Sequence, residues 1–114
     1  MMESQLELNQ ERLRLLDKYK KLLPDTFAAE MKVGDEAYAS GVLSTKHKRL
    51  IALGVALGRG CTNCILGQTM RALEAGASAD EVLEATGVAV AIGGTMGVAE
   101  SLRVVKLLEE QGKL

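Results

Sequence analysis

The chain has 114 residues, enough for one domain with its own core but not for two. Fourteen basic against fifteen acidic side chains leave a net charge of −1, which excludes the strong field of a nucleic-acid or membrane-surface binder. Apolar residues make up 47%, yet only 3% are aromatic and alanine and glycine supply much of the rest, so a lone subunit would have a thin core and burial of helix on helix between subunits is expected.

No segment alternates as a strand over more than a few residues, and the apolar spacing predicts an all-α single domain over 1–114 with about six helices. The first runs from Glu3 to Leu22, with Leu8, Leu15, Tyr19 and Leu22 as its inward stripe. Pro24 breaks it, because proline cannot continue the ladder and restricts the residue before it. A second helix, Pro24 to Ala39, is weakened at Gly34 and closed by Gly41. Ser44 or Thr45 caps a third, from Lys46 to Gly58, with Leu50, Leu53 and Leu57 inward. Gly58-Arg59-Gly60 is a turn.

The fourth helix opens at the cysteines and reaches Ala75, where Gly76 is a left-handed stop. Ser78 with Glu81 forms a capping box for the fifth, which breaks at Gly93-Gly94 before a last helix from Thr95 or Gly97. Met31, Met70 and Met96 read as core filling, Glu84 as a residue facing water, and His47 as a solvated surface histidine. Glu3, Glu7 and Glu11 among the first leucines exclude a secretory segment, and the uncharged run 85–99 is too short and glycine-rich to span a bilayer. A cytoplasmic location with no membrane or nucleic-acid partner is therefore expected.

Both cysteines of the chain lie in Gly60-Cys61-Thr62-Asn63-Cys64. At this spacing two thiols can close a small disulfide or share a metal. Metal is disfavoured, since a structural zinc site takes four ligands and His47 is the only histidine; no metal or cofactor is expected. In a reducing compartment a Cys-x-x-Cys points to redox chemistry. The backbone N–H groups at a helix start favour thiolate, Arg59 adds positive potential, and helical geometry puts Cys61, Cys64 and Gln68 on one face.

The run Lys46-His47-Lys48-Arg49-Leu50-Ile51-Ala52-Leu53, then Cys61-x-x-Cys64, then Ala72-Leu73-Glu74-Ala75-Gly76-Ala77-Ser78 with Glu81, resembles the core of the carboxymuconolactone decarboxylase family, in its alkylhydroperoxidase D-like branch. The similar region is about 44–108. The resemblance implies interlocked helical dimers, commonly trimerised into hexamers. It also implies a thiol–disulfide cycle on a small peroxide or disulfide, recharged by an unidentified thiol electron donor. In that cycle Cys64 would be the nucleophile and Cys61 the resolving thiol.

The chain departs from the fuller family motif at its proton relay. Gln68 stands where the motif has a histidine, Arg49 where it has a glutamate, and Asn63 where some members carry a further histidine. None of the three exchanges protons near neutral pH. The expectation is a thiol-dependent peroxidase or disulfide reductase in which Arg49 stabilises thiolate by charge. The alternatives are a non-catalytic oligomeric accessory protein and a lactone decarboxylase; members with the latter chemistry generally lack the cysteine pair.

Overall fold

The computed structural model describes residues 1–114 as five helices and no strand: α1 (Gln5–Leu22), α2 (Pro24–Tyr38), α3 (Thr45–Arg59), α4 (Thr62–Glu74) and α5 (Ala79–Glu110). The expected all-α fold is present. The break foreseen at Gly93-Gly94 is a kink inside α5, where Gly94 leaves helical geometry at φ 58°, ψ −133°. Beyond it the chain doubles back, and Gly97 packs onto the backbone of Ala89 and Val90 with no room for a side chain. By length and apolarity α5 could cross a bilayer, but this V shape and its packing on α3 and α4 make it the central core element.

Local chemistry sets the other boundaries. Ser44 caps α3 by accepting from the His47 N–H at 3.2 Å, and Ser78 and Glu81 form the capping box of α5. Gly60 and Gly76 take positive φ at the ends of α3 and α4, as the left-handed stops require. Two expectations fail in detail. Gly34 does not interrupt α2, since one glycine costs a helix only about 1 kcal/mol. Helix α3 continues through Gly58 to Arg59, so the turn is Gly60 alone.

The core lies among α3, α4 and α5, where Leu53, Leu57, Ile65, Val82, Val104 and Leu108 are fully buried. Helix α1 is fastened across them by the far end of the chain. Glu110 accepts from the Gln5 N–H at 2.8 Å and the Leu6 N–H at 3.3 Å, and the Ser4 hydroxyl donates to its other oxygen. A carboxylate at a helix N-terminus satisfies orphan donors and complements the dipole.

The thin core foreseen from composition is present: only 19 of 114 residues are buried. The α1 stripe is a correction, since Leu15, Tyr19 and Leu22 lie exposed; Met31 and Met96 are exposed too, while Met70 is half-buried and accepts from the Gln111 amide at 3.2 Å. Helical spacing reveals an apolar face but not what covers it. Glu84 faces water as expected.

Candidate active site

The cysteines are placed by the stop of one helix and the start of the next. Cys61 N–H donates to the Ala56 carbonyl and Gly60 N–H to that of Leu57, the paired bonds of a Schellman turn. That turn hands the chain directly to α4, of which Cys61 is the N-cap. The Cys61 sulfur accepts from the Cys64 N–H at 3.3 Å, and the two cysteines form a disulfide with their Cα atoms 5.2 Å apart. Cys61 is half-buried and Cys64 exposed.

Both cysteines and Gln68 line a cleft of about 460 Å³ between the end of α2, α3 and the start of α4. The expected shared face is therefore real. Its walls are largely alanine, valine and isoleucine, its charged residues are Lys48 and Arg59, and no acid reaches it. Cys64 and Gln68 also border a second cleft of about 450 Å³, against α1, whose charged residue is Arg12. Asn63 lines this second cleft.

Arg49 and Gln68, nineteen positions apart, do meet: Arg49 Nη1 donates to Gln68 Oε1 at 3.2 Å. The Gln68 amide then donates from Nε2 to the Tyr38 hydroxyl at 3.3 Å. The Arg49 guanidinium also lies over the Tyr38 ring, 3.5 Å from its centroid, a cation–π contact. Burial pulls the Arg49 pKa below its ordinary value, Tyr38 opposes that shift, and the like charge of Arg71 adds to it. Arg12, packed on Gly67, is lowered in the same way, first by burial and then by Arg71.

Tyr38 is the site residue that the sequence did not disclose. It is the last residue of α2, and α3 pins it there. Thr45 donates to the Tyr38 carbonyl at 2.8 Å and the Lys48 ammonium to the Ala39 carbonyl at 2.6 Å. A threonine directly after the N-cap serine of α3 was the available local signal. His47 is exposed, with Nδ1 2.9 Å from the Ser44 hydroxyl, and takes no part.

The family model described as "Carboxymuconolactone decarboxylase family" matches residues 24–107. The structure is similar to that of a carboxymuconolactone decarboxylase family protein from Legionella pneumophila in its apo form, with a TM-score of 0.86 and 25% identity over 93% of this chain and 95% of that one. It is also similar in fold to a protein from Thermotoga maritima, with a TM-score of 0.71 and 24% identity over 86% of this chain and 93% of that one. No curated protein matches the sequence.

Proposed function

Because the chain belongs to the carboxymuconolactone decarboxylase family, we propose that its Cys-x-x-Cys runs a thiol–disulfide cycle that reduces a small peroxide or a disulfide. The supporting observation is the Cys61–Cys64 disulfide at the head of α4, in a cleft whose charged groups are all cations. Cys64, the more exposed of the two residues, is the nucleophile, and Cys61 resolves the oxidised product. Helix N-terminus and cations together favour thiolate over thiol. Arg49 replaces the acid of the family relay and acts through charge, and a thiol electron donor returns the pair to the reduced state.

The working form we propose is a cytoplasmic homo-oligomer built from dimers. The isolated chain exposes 7182 Å², against about 6,100 Å² for a typical monomer of this mass. An apolar groove of about 720 Å³ between α3 and the first half of α5, lined by Leu50, Ile51, Val55, Val88 and Ile92 among others, is the face on which we place the second copy.

The test mixes reduced protein with a hydroperoxide and counts free thiols with time, in wild type and Cys64→Ser. Loss of two thiols in wild type alone supports the peroxidase reading. Thiols that resist peroxide but react with a disulfide substrate redirect it to disulfide reduction. Thiols inert to both favour the rival reading of a non-catalytic accessory protein, which the replaced relay residues Arg49, Asn63 and Gln68 support.

A further inference from the structure

We propose that Tyr38 is the catalytic acid of this site, giving its phenolic proton to the oxygen that departs when Cys64 attacks a hydroperoxide; this rests on the peroxidase reading above. The argument begins at Arg49, which can only donate hydrogen bonds. Its Nη1 is bonded to Gln68 Oε1, which fixes which end of the amide is oxygen and turns Nε2 toward Tyr38. The amide nitrogen can only donate as well, so at the Tyr38 hydroxyl the oxygen is the acceptor.

That leaves the hydroxyl proton of Tyr38 with no acceptor of its own in the protein. The residue borders the cleft that holds both sulfurs. Arg49 and Gln68 are thus positioning residues: they carry no proton, but they commit the tyrosine to donating outward. The guanidinium over the ring also meets the negative charge that develops as the proton leaves.

The step balances. Cys64 thiolate attacks the terminal peroxide oxygen, an S–O bond forms and the O–O bond breaks, with its electron pair leaving on the alkoxide oxygen. Sulfur is oxidised to the sulfenic acid as the peroxide is reduced. Tyr38 protonates the alkoxide to the alcohol, and the phenolate recovers a proton from the Cys61 thiol. The Cys61 thiolate then displaces hydroxide from the Cys64 sulfur, closing the disulfide. The hydroxide takes up the proton released when Cys64 first ionised, giving water.

Rapid-mixing thiol oxidation of the reduced protein with two oxidants tests this. tert-Butyl hydroperoxide expels an alkoxide, which needs a proton; peroxyacetic acid expels acetate, which does not. Tyr38→Phe is expected to slow the first reaction about 10²-fold, the low end for general acid catalysis, and to leave the second unchanged. Gln68→Met should slow tert-butyl hydroperoxide alone and add nothing in the Tyr38→Phe background, because both act through one proton. Equal slowing of both oxidants, or no slowing of either, would overturn the role of Tyr38 while leaving the peroxidase reading intact. A wild-type protein oxidised by neither reagent would instead remove the peroxidase reading, and the role of Tyr38 with it.

Discussion

Arg49 is a partly buried cation that forms no ion pair with any carboxylate of the chain. The Tyr38 ring and the more distant charge of Glu74 offset part of its desolvation, but no carboxylate is bonded to it. Arg49 is bonded to Gln68, which shares a cleft with both sulfurs, so a Cys64 thiolate is a negative charge it can serve across that amide. Replacing Arg49 by alanine should therefore raise the Cys64 thiol pKa in the reduced protein. Ultraviolet titration of the thiolate measures this directly, and an unchanged curve would remove the electrostatic role of Arg49. Cys61, Cys64 and Gln68 were legible as one face because helical spacing is local. Tyr38 was not, because its bond to Gln68 joins residues thirty positions apart and depends on how α2 meets α3.

At the scale of helices, the kink of α5 and the clasp on α1 are two local features that fix how the elements meet. A methyl group added at Gly97 would lie 2.9 Å from the Ala89 carbonyl oxygen and the Val90 Cα, backbone atoms that cannot swing away. Gly97→Ala should cost about 1–3 kcal/mol, the range for an overpacked core, and chemical denaturation of the two proteins measures it. The clasp has a pH signature. The hydrogen bond from Ser4 is the main cause that holds the Glu110 carboxyl below the ordinary 4.5; burial opposes it, and the Gln5 and Leu6 amides and the charge of Lys106 add to the lowering.

A carboxyl lowered on folding stabilises the protein above its unfolded pKa and loses that contribution as pH falls through the folded value. The stability difference between wild type and Glu110→Gln should thus shrink as pH is taken below 4.5, and melting curves in an acid series follow it. The caps at Ser44 and Ser78 and the stops at Gly60 and Gly76 were readable because their chemistry spans only a few residues. The Glu110 clasp joins positions 105 apart and left no trace in spacing.

The whole molecule is looser than its length suggests. Its radius of gyration is 14.2 Å, where a compact chain of about this size has about 13 Å. Val88 and Ile92, in the uncharged run 85–99, stand 66% and 90% exposed at the groove between α3 and α5. Light scattering at micromolar concentration should give a mass at least twice the 12.2 kDa of one chain. The double variant Val88→Glu with Ile92→Glu should reduce it to a single subunit, because two charges cannot be buried there unpaired. A wild-type mass of one subunit would refute the assembly. The bare α1 stripe teaches the same lesson about the sequence: periodicity marks a face as apolar whether its cover comes from the same chain or another.

The capping of α4 by a cysteine has one more effect. Oxidised, Cys61 is tethered to Cys64 and its sulfur cannot rotate away from the Cys64 N–H. Once reduced, the same cap is a freely rotating side chain, and the first turn of α4 can fray more often. Amide hydrogen exchange at Cys64 should accordingly be slower in the oxidised protein, so one backbone proton serves as a built-in gauge of the oxidation state.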